Sequence, residues 1–265
     1  MLTHPMGFGL VTATPLQRQL ARLVDGAPNL DPKSPELIEA CGDVSHLVGV
    51  RPREVTIVAA IRSAKTMLSA AAAVRMTQTV DLTGLGHGEI PRVPILSLDL
   101  DLAQVAHQHL AGTVMASPVL SQLLVEPPKS DSLMLYHPSG RPIEICTVAG
   151  KRAGSSLIAR WMAGVIVDEA PRMAGEGEAV ANFDETRRVI IGRLRPGAQF
   201  LSIGSPWAPF GPIFDQVTND WRKPSPQRVV VRAPGWAMNP VYWTPERIDD
   251  LKRSDPDAYR VDCAA

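Results

Sequence analysis

Residues 55–76 limit the possible folds of this chain more strongly than any other segment. Residues 55–60 read VTIVAA, a short apolar run rich in β-branched side chains, which is typical of a buried strand. After a short turn, residues 65–76 are rich in alanine and have a helical pattern. A strand that leads through a tight turn into a helix is half of a β-α-β unit, so the segment predicts an α/β fold.

The rest of the chain repeats this alternation of strands and helices. Further strands are predicted at residues 95–98, 133–136, 143–148, 165–167, 199–203 and 228–231. Helices are predicted at residues 15–24, within 31–52, and at 102–111, 118–124, 179–194 and 245–259, with Thr14 and Thr244 as N-caps. Such alternation predicts a mainly parallel central sheet with helices on both faces.

The sequence is interpreted as one domain over residues 1–265. Its parts are an N-terminal helical segment (1–50), a core (51–240) and a C-terminal helix (241–265). The turn sequence at residues 137–141, His-Pro-Ser-Gly-Arg, predicts an antiparallel β-hairpin inserted in the sheet.

Composition and charge restrict the class of partner. Hydrophobic residues make up 45% and charged residues 20% of the chain, as in ordinary globular proteins. The 27 basic residues equal the 27 acidic ones, so no overall positive field attracts nucleic acid. A nucleic-acid partner would have to meet local patches or an oligomer.

Cysteine and hydropathy patterns favour a protein of a reducing cytosol. Cys41, Cys146 and Cys263 are scattered without a C-x-x-C pair, which argues against disulfides and zinc. His107 and His109 are two apart in a predicted helix and so point to different faces. The N-terminus has no signal-peptide pattern, and no apolar stretch approaches the roughly 18 residues of a membrane span.

The turn after the first strand is a degenerate match to the phosphate-binding (Walker A) pattern G-x-x-x-x-G-K-[ST]. Here the pattern begins at Ala59 and ends Ala64-Lys65-Thr66, so alanine replaces both glycines. A helix N-terminus attracts phosphate through its free N–H groups. Lys65 is therefore predicted to reach the β- and γ-phosphates of ATP, and the Thr66 hydroxyl to ligate Mg²⁺. The alternative is an ordinary solvated helix start.

Two acidic residues follow a later apolar strand. Residues 164–167 read GVIV and lead into Asp168 and Glu169, which suits the acid (Walker B) motif of an ATPase. Asp168, at the tip of a neighbouring strand, is predicted to hold the Mg²⁺ water shell. Glu169 is predicted to be the general base that activates water. The alternative is an acidic pair that caps a strand-to-helix turn.

A third element is the apolar strand that ends in Gly204-Ser205-Pro206. A hydroxyl at this position can sense the γ-phosphate and relay its loss, so Ser205 is predicted to contact nucleotide. The alternative is an ordinary turn, in which Gly204 and Pro206 only end the strand.

Together these elements resemble the large terminase subunits of tailed bacteriophages, the motors that pump DNA into procapsids. The match extends from about residue 14 to residue 259. The resemblance implies that residues 202–206 are the motif that couples hydrolysis to movement. Arg62 would be the catalytic loop arginine, beside Ser63 and Ala64 in the nucleotide-binding loop, and Gln17 the adenine reader. Residues 139–140 and 151–155 are similar to a stretch that these proteins carry between loop and acids.

The resemblance implies an ATPase that converts ATP to ADP and phosphate with Mg²⁺. It implies double-stranded DNA, the portal protein and the small terminase subunit as partners, a homo-oligomeric ring, and the cytoplasm of the bacterial host. The family's nuclease follows the ATPase, and no nuclease activity is expected from this chain alone. The alternatives are a nucleotide-binding module with a degenerate loop and little hydrolysis, or another helicase-like nucleic-acid ATPase.

Other charged and aromatic residues allow two interpretations. Four arginines near the end of the helix at residues 179–194 could reach a neighbour's ATP or the DNA backbone, or form a solvated face: Arg187, Arg188, Arg193 and Arg195. The five tryptophans are interpreted as core and interface residues rather than a base-stacking platform: Trp161, Trp207, Trp221, Trp236 and Trp243. Asp99 and Asp101 follow a strand, and Asp101 is interpreted as a helix cap.

Overall fold

The computed structural model describes residues 2–4, 6–98, 100–149, 157, 160–173 and 183–265. At its centre is a seven-stranded sheet with the order β3-β4-β2-β5-β6-β1-β7. The strands are β1 (Glu54–Ala59), β2 (Arg92–Ser97), β3 (Ser132–Tyr136), β4 (Pro142–Ala149), β5 (Val165–Asp168), β6 (Phe200–Gly204) and β7 (Arg228–Ala233). Adjacent strands are parallel except β3, which is antiparallel to β4 across the predicted hairpin. The predicted sheet and its insertion are confirmed.

The helices follow the predicted alternation with four differences. They are α1 (Pro15–Asp25), α2 (Pro35–Cys41), α3 (Lys65–Thr79), α4 (Leu100–Ala116), α5 (Phe183–Ile191), α6 (Pro212–Asp220), α7 (Gly235–Met238), α8 (Pro245–Ser254) and α9 (Pro256–Ala258), which continues into a π-helical turn, Tyr259–Ala264. Helices α6 and α7 lie where the sequence predicts none. The helix predicted at 118–124 is a 3₁₀ turn, Leu120–Leu123. The predicted last helix breaks at Asp255, since the next residue is a proline, which pushes its predecessor out of the helical region.

Three sequence interpretations fall wholly or partly outside the described residues. Asp99, residues 151–155 and the first part of the helix predicted at 179–194 lie there. Within the described part of the chain, no helix has the length and apolarity needed to cross a membrane.

Alternate residues of the strands build two separate apolar cores, one on each face of the sheet. In β1, Val55 and Ile57 belong to the core shared with α1 to α4, whereas Val58 belongs to the opposite core. The opposite core includes Phe183 of α5 and Ile213 of α6. Because strand side chains alternate between faces, this division confirms that helices cover both sides of the sheet.

Helix α3 lies close to the sheet because its inner surface is made of small side chains. Ala70, Ala71, Ala72 and Ala73 are all buried. Small residues allow a helix backbone to approach its neighbours, so α3 is fixed directly after β1, with its N-terminus at the carboxyl edge of the sheet.

Helix α1 is closed at its N-terminus by the predicted cap. The Thr14 hydroxyl accepts a hydrogen bond from the Gln17 amide at 3.3 Å, and Gln17 Oε1 accepts one from the Thr14 amide at 3.0 Å. This reciprocal capping box satisfies two N–H groups and fixes the Gln17 side chain.

Candidate nucleotide site

The carboxyl ends of three parallel strands meet at one edge of the sheet. In the register of the sheet, Val58 of β1 pairs with Gly204 of β6, and Asp168 of β5 pairs with Ile203 of β6. Strand β6 therefore lies between β1 and β5. The prediction that Asp168 ends a strand neighbouring β1 is wrong, because β6 is inserted there. The three motifs nevertheless share one edge.

The loop between β1 and α3 turns back through two residues with positive φ. Arg62 has φ 58° and Ala64 has φ 60°, and Ala64 is the N-cap of α3. A left-handed backbone is unfavourable for an L-residue with a Cβ, by about 1–2 kcal/mol each. The loop thus holds two strained positions, and at one of them, Ala64, the usual pattern has glycine.

Lys65 points back over the end of β1. Its Nζ donates to the carbonyl oxygens of Ala59 (3.3 Å) and Ala60 (2.9 Å) and to Ser205 Oγ at 2.8 Å. Burial lowers the pKa of the Lys65 ammonium, and the carboxylates of Glu169, Asp168 and Asp262 oppose this shift. The structure therefore places the predicted loop lysine in contact with Ser205 and close enough to Asp168 and Glu169 to be attracted by their charges.

Distant parts of the chain hold the loop by its backbone. Four hydrogen bonds connect backbone atoms of the loop to other elements. They run from Ile61 N to Asp262 O (2.9 Å), from Trp243 Nε1 to Ile61 O (3.1 Å), from Asn239 Nδ2 to Arg62 O (2.7 Å) and from Gln17 Nε2 to Ser63 O (3.1 Å). The loop conformation therefore depends on α1 and on the C-terminal segment, residues 239–265. Sequence reasoning missed Asn239, Trp243 and Asp262, because no local pattern marks residues whose partners are so far away in the chain.

Gln17, which the resemblance implies to be the adenine reader, lies at the loop. Its Nε2 donates to Ser63 O at 3.1 Å and to Met238 O at 2.9 Å. Contact with a base would require at least one of these bonds to be exchanged. The adenine role stays a prediction.

The acid pair lies in contrasting environments. Burial raises the pKa of Asp168 to about 6, the charge of Glu169 adds to the rise, and Lys65 counteracts it. Glu169 has φ 51° and heads a 3₁₀ turn, Ala170–Arg172. The Glu169 Oε2 atom is buried and, among the described residues, has no hydrogen-bond partner. Arg172 is its ion-pair partner, with Nε 3.6 Å away.

A second buried polar atom at this edge also lacks a protein partner. Within the described ranges, the Ser63 Oγ atom makes no hydrogen bond. Buried polar groups are normally satisfied, so the orphaned oxygens of Ser63 and Glu169 suit a site that takes a polar ligand. Thr66 lies in the first turn of α3 and is partly exposed, as is Ala64, whereas Arg62 is exposed.

The donor set at this edge fits a hard cation only in part. Thr66 and Asp168 supply the hydroxyl and carboxylate oxygens that Mg²⁺ prefers. In the part of the chain that the structure describes, no group of three or more His, Cys, Asp or Glu residues could hold a metal. A Mg²⁺ ion here would need oxygen ligands from phosphate and water, as the prediction supposes.

The arginines of the predicted cluster have different surroundings. Arg187 pairs with Glu54 at 2.7 and 2.8 Å, Arg193 donates to Val189 O at 2.7 Å, and Arg195 donates to the carbonyl oxygens of Asp81 and Thr83. Arg188 is exposed. A role towards a neighbouring subunit or DNA stays a prediction.

The tryptophans, interpreted as core and interface residues, differ in burial. Trp243 is buried, whereas Trp161, Trp207 and Trp236 are between 37% and 51% exposed. The ring of Trp207 stacks under the Arg172 guanidinium at 4.2 Å. Asp101 lies inside the first turn of α4 rather than at its cap, so the cap interpretation is wrong.

No protein-family model and no curated protein matches this sequence. Solved structures, in contrast, are similar in fold. The large terminase ATPase domain of Thermus phage P74-26 is 14% identical, with a TM-score of 0.60 over 80% of this chain and 87% of that one. The HK97 bacteriophage large terminase is 14% identical, with a TM-score of 0.58 over 78% of this chain and 44% of that one.

A large terminase from a thermophilic bacteriophage was solved in complex with ATP-γ-S. It is 10% identical, with a TM-score of 0.53 over 94% of this chain and 51% of that one. This chain therefore spans about half the length of these last two terminases. The likeness defines the class: a P-loop NTPase fold. More narrowly, the fold is that of the ATPase domains of phage large terminases, as the resemblance implied.

Proposed function

We propose that this chain is the ATPase domain of a phage DNA-packaging motor, hydrolysing ATP to ADP and phosphate. The observation that carries the proposal is the position of Lys65, which joins the loop, Ser205 and the field of the acid pair at one edge of the sheet. A P-loop enzyme needs these parts together, because its catalysis is mostly positioning and electrostatic stabilisation. The fold of the terminase neighbours supports the same class.

The residues of the loop would hold the phosphates. The Lys65 ammonium exchanges its bond to Ser205 or to a loop carbonyl for a phosphate oxygen, while the free N–H groups of the first turn of α3 bind others. The guanidinium of Arg62 is exposed and can turn towards phosphate, as the proposed loop arginine. Ser63, Ala64 and Thr66 complete the loop, and Gln17 connects it to the adenine side.

Asp168 and Glu169, the acid pair, would bind Mg²⁺ and activate the attacking water. Glu169 accepts a proton from the water that attacks the γ-phosphorus, the bond to the β-phosphate oxygen breaks, and ADP leaves. A Mg²⁺ ion held by Thr66 and Asp168 would neutralise charge on the phosphates. A nearby cation favours the charged carboxylate, so occupation of the site would lower the raised pKa of Asp168. Ser205 would detect the loss of phosphate through its contact with Lys65.

The larger assembly follows from the proposed class. We propose that the chain works as part of a homo-oligomeric ring in the cytoplasm of the bacterial host. It would drive double-stranded DNA into procapsids together with a portal protein and a small terminase subunit.

A steady-state phosphate-release assay with Mg-ATP tests the enzymatic part. The parent chain is expected to release phosphate, and Glu169→Ala to lower the rate by about 100-fold or more, because a general base typically contributes that much. Glu126→Ala is the matched control, since Glu126 lies on the surface in an i,i+3 pair with Lys129, and its rate should equal that of the parent. A parent without release above background, with or without DNA and partner subunits, refutes the motor function.

One observation favours a second candidate, a nucleotide-binding module with little hydrolysis. The left-handed backbone at Ala64 is one that glycine adopts without strain, and here it carries a Cβ. If this candidate is right, the parent binds ATP but releases phosphate no faster than Glu169→Ala.

A further inference from the structure

The segment after β6 touches both halves of the candidate site. Ser205 Oγ accepts a hydrogen bond from Lys65 at 2.8 Å. A Cβ placed on Gly204 would come within 2.4 Å of Pro171 Cδ and 3.1 Å of Glu169 Cα, so only glycine allows this close approach. Trp207, two residues beyond Ser205, lies under the guanidinium of Arg172. The segment and the turn that carries the acid pair therefore pack as one unit.

Arg172 faces Glu169 without forming a hydrogen bond. Its Nε is 3.6 Å from Glu169 Oε2, and that oxygen is buried without a hydrogen-bond partner among the described residues. The amide of Arg172 donates to Glu169 O at 3.0 Å, which closes the 3₁₀ turn and fixes the separation of the two residues. The contact between the side chains is therefore electrostatic, and the turn sets its geometry.

Two further features make Arg172 suited to orient a carboxylate. Its guanidinium carbon lies 4.2 Å from the Trp207 ring centroid, which restrains a side chain that is otherwise 43% exposed. A partly exposed ion pair of this length adds little to stability, so its presence at Glu169 is not explained by the needs of the fold. The attraction acts on Oε2.

We propose that Arg172 is a positioning residue for hydrolysis, which fixes the Glu169 carboxylate while Trp207 fixes Arg172. The inference rests on the proposed ATPase function. Because Trp207 closely follows Ser205 in the segment that contacts Lys65, a shift of that segment moves the support of Arg172 as well. The orientation of Glu169 thus responds to the state of the phosphate site.

The test measures kcat and KM for ATP in Arg172→Ala, Arg172→Lys and Trp207→Leu. Arg172→Ala is expected to lower kcat by about tenfold or more, since a small misplacement of a catalytic group costs that much. KM for ATP should not change, because Glu169 acts on water. Arg172→Lys should recover part of the rate, as it retains the charge but not the planar fork, and Trp207→Leu should cause a smaller loss than Arg172→Ala.

A second background separates positioning from a structural effect. In Glu169→Gln, single-turnover hydrolysis should be the same with Arg172 or with Arg172→Ala, because the residue acts through Glu169. An equal loss in both backgrounds, or a weakened ATP affinity, overturns the inference. Arg222→Ala is the control, since Arg222 also covers an indole ring, that of Trp221 at 4.4 Å, but donates to the Glu39 carbonyl oxygen instead. It should keep the parental rate.

The outcomes distinguish the inference from the function on which it rests. A parent that releases phosphate together with an unaffected Arg172→Ala refutes only the positioning role. A parent that releases no phosphate refutes the proposed function and this inference with it. Thermal melting confirms that the variants fold, and the melting temperature of Arg172→Ala should stay within about 3 °C of the parent.

Discussion

Ala64 is the residue at which the loop departs most clearly from its usual chemistry. With φ 60°, it holds a conformation that costs an L-residue about 1–2 kcal/mol. Ala64→Gly is expected to raise the free energy of unfolding by about 1 kcal/mol, measured by urea denaturation. Ala73→Gly, in the interior of α3, should instead lower it by about 1 kcal/mol or more. If both substitutions destabilise equally, Ala64 is not strained.

The raised pKa of Asp168 makes the free energy of unfolding depend on pH, in a direction that can be worked out. Its pKa is raised from 3.8 to about 6 by burial and by the charge of Glu169, so the native state keeps this proton longer than the unfolded state. The free energy of unfolding should therefore fall as pH rises from about 4 to 6, by about 2 kcal/mol for this group.

Asp168→Asn isolates this contribution. The variant should be more stable than the parent at pH 7, and the difference should vanish near pH 4, where the parent carboxyl is protonated. Urea unfolding of both proteins across this range measures it. A difference independent of pH would show that Asp168 does not titrate as described.

The residues that could be predicted from the sequence are those whose role a local sequence pattern indicates. Lys65 and Thr66 open a helix after a strand, and Asp168 and Glu169 end one, so order and periodicity indicated their common edge. Gln17 was singled out only through the resemblance, and its bonds to Ser63 and Met238 were not foreseen. Arg172 and Trp207 were missed as a pair, because the stacking joins two turns that no periodicity connects.

At the scale of elements, the loop after β1 is built by its neighbours rather than by its own sequence. Gln17 on α1 and the C-terminal segment bind consecutive loop residues. This explains how a loop without its glycines keeps a turn that leads directly into α3. The helices and strands themselves were largely predictable, but the insertion of β6 between β1 and β5 was not, because strand order is set by long-range pairing.

Gln17→Glu tests whether α1 supports the loop. Glutamate keeps an acceptor for the Thr14 amide but loses both donors to Ser63 O and Met238 O, and it places a carboxylate against two carbonyl oxygens. The free energy of unfolding should fall by about 2 kcal/mol. In the control Gln19→Glu, the bond from the Asp31 amide is kept, and the loss should be smaller. Equal losses would mean that the bonds to the loop contribute nothing particular.

At the scale of the molecule, the C-terminal segment is tied into the core. Asp262 O accepts the Ile61 amide, and Trp243 binds the same loop residue. Residues 1–265 are therefore expected to unfold in one cooperative transition, with a van't Hoff to calorimetric enthalpy ratio of about 1. Two separate transitions in scanning calorimetry, one of them lost when the C-terminal segment is removed, would contradict the single domain.

This edge of the sheet is proposed to bind ATP through Lys65 and to hydrolyse it through Glu169. The most direct measurement is to incubate the protein with Mg-ATP, remove free nucleotide and identify what stays bound by chromatography. The parent should retain ADP, Glu169→Gln should retain ATP, and Lys65→Ala should retain neither. If the parent retains no nucleotide, or if the parent and Glu169→Gln retain ATP alike, the account of this site is wrong.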